Sequence, residues 1–254
     1  MNQVNYQKEL EKVLSGLSGQ RKKLLLHSCC APCSSYVLEY LGRFFDITVL
    51  YFNPNITDRE EYRRRVEEQG RLIDGLNRAG VSEGRMCREE AGQQAAGKDA
   101  GAGERTAAEI SQGAEAGASG VRGWTAVSLE EGRYDPALFF EAVKGLERIP
   151  EGGERCFRCY ELRLRETARR AAEQGYDYFT TTLTISPLKN AGKLNEIGFR
   201  LAEEYGVAFL PSDFKKKNGY RRSVELSEQY GLYRQDYCGC VFSKAERDSR
   251  RNGG

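Results

Sequence analysis

The chain has 254 residues, 39% of them hydrophobic, with 39 basic against 37 acidic side chains and a formal net charge of +2. That is enough apolar material to bury the core of one large domain, with no run near the ~18 apolar residues of a membrane helix. The charge is too small to mark a nucleic-acid binder by itself.

The polar N-terminus MNQVNYQKELEKVLSG lacks the apolar core of a secretory signal, so the chain reads as cytoplasmic and free of the membrane. Residues 22–27 have the composition of a buried strand. Pro32 at a first helical turn, the spacing of Tyr36, Val37, Tyr40 and Leu41, and Gly42 as a stop predict a helix. A second β-like run, ITVLYFNPN (47–55), is followed by Thr57-x-x-Glu60, which has the form of a capping box. The helix after it carries Tyr62, Val66, Gln69, Ile73 and Leu76 on one face and is expected to end near Gly80. Alternating strands and helices imply an α/β fold, a Rossmann-like parallel sheet flanked by helices. The whole chain, 1–254, reads as a single domain. It carries a flexible Ala/Gly-rich insertion at about 88–121, where 17 of the 30 residues from Ala91 to Gly120 are Ala or Gly and cannot supply a packed core.

Order is expected to resume near Trp124. The segment GGERCFRCYELRLRET leads into a helix with Tyr160, Leu164, Ala168 and Ala171 on one face, ending at Gly175. FTTTLTI (179–185) is strongly β-prone; Leu194, Ile197, Leu201 and Tyr205 mark a further helix, and VAFLP (207–211) a short buried strand.

There are eight cysteines and one histidine, His27. In a reducing compartment clustered cysteines are better read as metal ligands or redox groups than as structural disulfides, and with one histidine the ligation falls to thiolates. Cys29-Cys30-x-x-Cys33 lies at a strand-to-helix turn, and Cys156-x-x-Cys159 opens a helix whose N-terminal dipole favours thiolates. Loops at the carboxyl ends of parallel strands form the ligand crevice of such sheets, so the two half-sites can meet in one cysteine-rich crevice at the strand C-terminal ends. Spacing alone does not choose between zinc and an iron–sulfur cluster. Adjacent Cys29 and Cys30 favour the cluster, because successive extended residues point apart and a larger group can be reached from two directions. Cys238-Gly239-Cys240 has the form of a redox dithiol, since a ring closed over two residues makes a strained, reducible bond; metal ligation and plain burial are its other readings. His27 reads as a packing or supporting residue and Cys87 as incidental. The basic run Lys215, Lys216, Lys217, Arg221 and Arg222, interleaved with Phe214, Tyr220, Tyr230, Tyr233 and Tyr237, reads either as an RNA-binding surface or as a solvated helix face over core tyrosines.

Taken together, HSCCAPCSSYVLEYL, YFNPNITDREEYRRR, YDPALFFEAVKGLERIPEGGERCFRCYELRLRETA, FTTTLTISPLKNAGKLNEIG and DFKKKNGYRRSVELSEQYGLYRQDYCGCVFSK resemble the cobalamin-independent epoxyqueuosine reductases. The resemblance implies the last step of queuosine formation: reduction of epoxyqueuosine to queuosine at the wobble position of tRNA, with an external electron donor and no cobalamin. It implies a [4Fe–4S] cluster held by Cys29, Cys30, Cys156 and Cys159, and a redox-active disulfide between Cys238 and Cys240. It leaves open a second iron beside the cluster and the role of Cys33. Candidate proton donors are Tyr237, Asp236 and Asp213, and the substrate base is expected to leave the stack to reach a buried centre. Two other classes compete: a zinc-stabilised tRNA-binding module and a tRNA sulfur-transfer enzyme. The absence of a glycine-rich phosphate loop after the first strand counts against the second.

Overall fold

The computed structural model describes residues 4–96, with side chains up to 80, and residues 124–252. Its centre is strand β1 (Lys22–His27), whose KKLLLH sequence puts Leu24, Leu25 and Leu26 out of solvent on both sides of the sheet. Leu24 and Leu26 enter one apolar cluster and Leu25 the other, as the period of two in a doubly covered strand requires. β1 pairs in parallel with β2 (Phe45–Tyr51) on one side and β4 (Tyr178–Thr181) on the other. β3 (Ser128–Glu131) and β5 (Ala208–Phe209) extend the sheet to the order β3-β2-β1-β4-β5, all parallel.

Helices cover both faces. Leu10 and Leu14 of α1 (Tyr6–Gly16), Val37, Leu38 and Leu41 of α2 (Ala31–Leu41), and Leu72, Ile73 and Leu76 of α3 (Arg59–Ala96) join the cluster of Leu24 and Leu26. Leu164, Ala168 and Ala171 of α5 (Glu154–Glu173) and Leu194, Ile197 and Leu201 of α6 (Ala191–Tyr205) join that of Leu25. Three shorter helices, α4 (Pro136–Ala142), α7 (Gly219–Gln229) and α8 (Val241–Asn252), complete the described chain. The order 3-2-1-4-5 changes direction between β1 and β4, so the loops leaving these two strands diverge and open a crevice. Among the described residues no helix is long and apolar enough to cross a membrane.

The expected α/β architecture is therefore present, with four local corrections. The cap of α3 is Asp58 rather than Thr57: its carboxylate accepts the N–H groups of Glu60 (2.9 Å) and Glu61 (3.1 Å). Gly80 does not end α3, which runs on to Ala96. A Cβ at Gly80 would lie 2.1 Å from the Trp124 ring, so this glycine makes room for an indole and does not stop the helix. FTTTLTI is strand only to Thr181; Thr182–Ile185 turns into a 3-10 helix, and the Thr181 hydroxyl accepts the Leu183 N–H at 3.1 Å. VAFLP keeps only Ala208–Phe209 as strand. Of the expected insertion, residues 97–121 lie outside the described residues, as does the Cys87 side chain.

Leu25 is fully buried at the centre of the sheet. Leu25→Ala is expected to lower the unfolding free energy by about 2–5 kcal/mol, read as a shift in the denaturant midpoint at unchanged slope.

Candidate metal centre and thiol crevice

β1 ends at His27, and Ser28-Cys29-Cys30 forms the turn into α2. Cys30 occupies the N-cap position in extended backbone without a side-chain cap, leaving the first-turn N–H groups to the sulfur-rich side. Polar bonds beneath fix the turn: the Ser28 hydroxyl donates to Gln69 Oε1 (2.7 Å), Ser34 donates to the same atom (2.9 Å), and Asn53 Nδ2 donates to the Ser28 carbonyl (2.7 Å). His27 is fully buried. Its Nε2 lies 3.2 Å from the Phe52 carbonyl, which can only accept, so Nδ1 accepts the Thr181 hydroxyl at 2.9 Å. One neutral imidazole thus ties the ends of β1, β2 and β4 together. Burial pushes its pKa down to about 3.

The sulfurs of Cys29, Cys30 and Cys33 all lie within 4.8 Å of one another. Cys29 Sγ and Cys30 Sγ are 3.7 Å apart, close to the sulfur–sulfur edge of roughly 3.8 Å around one tetrahedral ion with bonds of about 2.3 Å. Cys33 therefore belongs to the first thiol set on equal terms, and the three could hold a metal. Hydrogen bonds from Cys30 and Cys33 draw the Cys29 thiol well below its usual range; burial pushes Cys30 up to about 12, and its neighbour Cys29 drives Cys33 up.

Cys156 and Cys159 sit on the first turns of α5, behind a Gly153 cap that offers no side chain. The Gly152 N–H donates to Cys156 Sγ at 3.2 Å. Cys29 packs against the apolar cluster that contains Cys156, whereas Cys159 clusters with Cys240 and Cys238. The start of α5 therefore lies between the other two thiol sets.

The third set is clamped through its backbone. Arg65, only 2% exposed, pairs with Glu61 (2.6 Å) and donates to the carbonyls of Cys238 (3.2 Å) and Tyr237 (3.3 Å). Asn55 Nδ2 also reaches the Cys238 carbonyl (3.3 Å), and the Thr57 N–H reaches that of Gly239 (3.2 Å). Gly239 has φ +109°, and a Cβ there would lie 2.7 Å from Ile56 Cγ1, so this position requires glycine for shape and space. Cys238 and Cys240 are both free thiols with sulfurs 3.5 Å apart, against about 2.05 Å in a disulfide.

The crevice, about 250 Å³, is lined by Cys29, Cys33 and Cys238 together with Arg65, Arg163, Lys189, Arg234 and Arg250. Arg163 is the decisive member. It is 3% exposed, its Nε donates to the Cys159 carbonyl (3.1 Å), and among the described residues no carboxylate pairs with it. Against the penalty of burial, Cys159, Cys29 and Cys238 hold its charge in place. An uncompensated buried cation costs several kcal/mol, so this guanidinium fits a site that carries negative sulfur. The Tyr160 hydroxyl, buried beside it and without a partner among the described residues, leaves a further donor for such a group. The Cys238 thiol is drawn well down by its bond to Cys240 and by Lys189, and Cys240 is driven up by the same bond and by burial.

The basic stretch lies elsewhere. Lys215 pairs with Asp213 (2.8 Å), Lys217 with Glu11, Arg222 with Glu39 (2.6 Å) and Arg221 with Glu225 (3.2 Å), while Lys216 is exposed. None of the five lines the crevice, although Tyr220 from the same stretch does. Of the candidate proton donors, Asp236 and Tyr237 line the crevice and Asp213 does not. Asp236 is held low by Arg247, with Arg251 beside it, and Tyr237 is pushed up to about 12 by burial. Sequence reasoning missed Arg65, Arg163 and Lys189. The first two had a signal: Arg163 falls four residues after Cys159 and Arg65 three after Tyr62, on the buried faces of their helices.

A parallel α/β sheet with free thiols gathered at its switch point, compensated by buried cations and lacking a phosphate loop, defines a thiol-centred protein of metal or redox type. The comparisons sharpen this class. The family model described as "Epoxyqueuosine reductase QueH" matches residues 24–108 and 105–246. A protein of that name from Staphylococcus epidermidis is 39% identical over 94% of this chain and 84% of its own length. One from Streptococcus pyogenes serotype M1 is 37% identical over 94% and 78%, and one from Thermotoga maritima 31% over 88% and 91%. The chain belongs to the epoxyqueuosine reductase QueH family, a family of oxidoreductases.

A pH prediction follows from His27. Its pKa falls from 6.5 to about 3 on folding, so between these values the unfolded chain binds the extra proton and stability drops as pH falls, by up to about 1.4 kcal/mol per pH unit. Wild type should lose its stability advantage over His27→Gln steadily from pH 6.5 to pH 4 in denaturant titrations. A constant difference would show that His27 is not held neutral.

Proposed function

We propose that this chain reduces epoxyqueuosine to queuosine at the wobble position of tRNA, in the cytoplasm and without cobalamin, drawing electrons from an external donor. The observation that carries the reading is Arg163, a buried cation that no carboxylate pairs with among the described residues, lining one crevice with Cys29 and Cys238 and donating to the Cys159 carbonyl. Removing the epoxide oxygen as water takes two electrons and two protons. The reaction centre therefore needs a redox group and proton donors that are shielded from bulk water.

Cys29, Cys30, Cys156 and Cys159 are assigned to hold a [4Fe–4S] cluster, and the donor set fits: soft thiolates, an excess of local positive charge and a buried Tyr160 hydroxyl with no partner among the described residues. Such a cluster supplies single-electron transfer and a Lewis-acidic iron. Cys33, within 4.8 Å of Cys29 and Cys30, supports a second iron beside it. Cys238 and Cys240 are assigned as the redox-active pair, cycling between dithiol and disulfide. Arg163 and Arg65 keep the thiolates from recruiting protons, and the depth of the crevice requires the modified base to leave its stack. Lys215, Lys216, Lys217, Arg221 and Arg222 form the proposed tRNA surface outside the crevice mouth, near Tyr220.

Anaerobically purified protein should contain about four iron and four sulfide per chain in the cluster, with any second iron in excess, and should turn over epoxyqueuosine-tRNA. Cys156→Ser is expected to abolish the cluster and activity; full turnover in that variant would remove Cys156 from the ligand set. Stoichiometric zinc without a reconstitutable cluster would favour the zinc-stabilised tRNA-binding module, for which the 3.7 Å Cys29–Cys30 separation is the right size. Exchanging Lys215, Lys216 and Lys217 together for Ala should weaken tRNA binding and reduce the slope of log affinity against log salt by about 0.7–0.9 per lost phosphate contact. An unchanged slope would move the RNA surface elsewhere.

A further inference from the structure

The reaction needs protons at the oxygen that leaves the ring, and the crevice offers few groups able to give one. Its arginines do not deprotonate. Asp236 is held as a carboxylate by Arg247 and Arg251, and Asp213 lies outside the lining. Two lining groups remain. One is Tyr237, whose ring lies against the guanidinium groups of Arg65 and Arg247. The other is Lys189, on the loop between the 3-10 turn and α6, which lines the crevice together with Cys29 and Cys238 and is the one tied by side chains to the dithiol loop.

Lys189 is held in place by a chain of polar contacts that no part of the assigned centre explains. Its Nζ lies 3.3 Å from Glu151 Oε1. The other Glu151 oxygen accepts the Ser243 hydroxyl at 3.0 Å. Ser243 in turn grips the dithiol loop from both sides: its N–H donates to Cys240 Sγ at 3.3 Å, and its Oγ accepts the Cys238 N–H at 3.2 Å. Lys189 and Glu151 are mostly buried, with side chains 10% and 17% exposed. A salt bridge placed for stability alone gains little at such depth. This one connects Lys189 in the crevice lining to the Cys238 N–H and the Cys240 sulfur of the dithiol loop.

Resting on the reductase reading, the geometry points to Lys189 as the proton donor to the departing epoxide oxygen, with Glu151 and Ser243 as the residues that position it against Cys238 and Cys240. The balance closes. Both C–O bonds of the epoxide break and a C=C bond forms, which takes two electrons and two protons; formation of the Cys238–Cys240 bond from the Cys238 thiolate and the Cys240 thiol releases two electrons and one proton. Lys189 protonates the alkoxide, a far stronger base than an amine, and the proton from Cys240 completes water. Lys189 is left neutral until an external dithiol reopens the disulfide and its two protons restore the Cys240 thiol and the Lys189 ammonium. Burial opposes the charge on Lys189, but Cys238, Tyr160 and Glu151 around it keep it protonated in the dithiol state.

The test uses full-length, cluster-loaded protein, epoxyqueuosine-tRNA as substrate, and the variants Lys189→Met and Lys189→Arg, with thermal melting and iron content as controls. Wild type without turnover would sink the reductase reading itself. With wild type active, both variants should lose about 10²-fold or more in kcat, the range of general acid catalysis, with KM within about threefold. Wild-type kcat in Lys189→Met, near-wild-type kcat in Lys189→Arg, or a loss confined to KM would each overturn the assignment, the second because a fixed charge would then suffice. If the lysine variants do not melt cooperatively, Glu151→Gln carries the same decision. A fall in kcat of about tenfold at unchanged KM supports the relay, and unchanged kcat overturns it.

Discussion

Ionisable sulfur in a closed crevice is expensive, and the placement of positive charge is what makes this site tenable. A thiolate removed from water loses its hydration and regains it only from fixed donors and cations. Arg163, Arg65 and Lys189 answer this from the lining of the crevice, while the turn before α5 adds a backbone donor, the Gly152 N–H. The dependence is mutual. Arg163 has no carboxylate of its own among the described residues, so the sulfurs hold the cation in the interior as much as it holds them.

The fold supplies the address. Where β1 and β4 part company, the polypeptide leaves both strands in opposite directions, and the gap is floored by tightly bonded backbone. His27 closes that floor across three strands with a single neutral ring. The first thiol set therefore follows directly on a strand end that is bonded across the sheet, whereas the dithiol loop is held by its carbonyls and N–H groups and by the Ser243 N–H on Cys240 Sγ.

Much of this was legible in the sequence, and the exceptions have physical causes. The strand β1, the helix α2 and the spacing of the cysteines could be read because local pattern and tertiary demand agree there. Gly80 misled because a glycine that accommodates an indole looks like one that ends a helix; the Trp124 that explains it is distant in the chain. FTTTLTI has β-branched residues throughout, yet its second half turns because the Thr181 side chain captures the Leu183 N–H. α1 and β3 went unread, the first within a polar segment and the second as a partly exposed edge strand without alternation. Arg163 hides among arginines of identical composition. Arg165, Arg169 and Arg170 are spent on Glu161, Glu166 and Glu173 at the surface, and only the helical register, counted from Cys159, separates the buried one from the rest. The basic run was visible, but its ion pairs with Glu11 and Glu39, from the first two helices, were not.

The clamp of Arg65 on the carbonyls of Tyr237 and Cys238 joins residues 172 and 173 positions apart, and this sets the order of events when the protein is made. The first thiol set is synthesised first, the α5 pair later and the dithiol loop last of the three. A nascent chain that ends before Tyr237 already contains Arg65 and Arg163 but not the carbonyls that Arg65 holds, so the crevice is incomplete until the third set has joined the fold. Assembly of the three thiol sets is thus a property of the folded chain and not of any one of its segments.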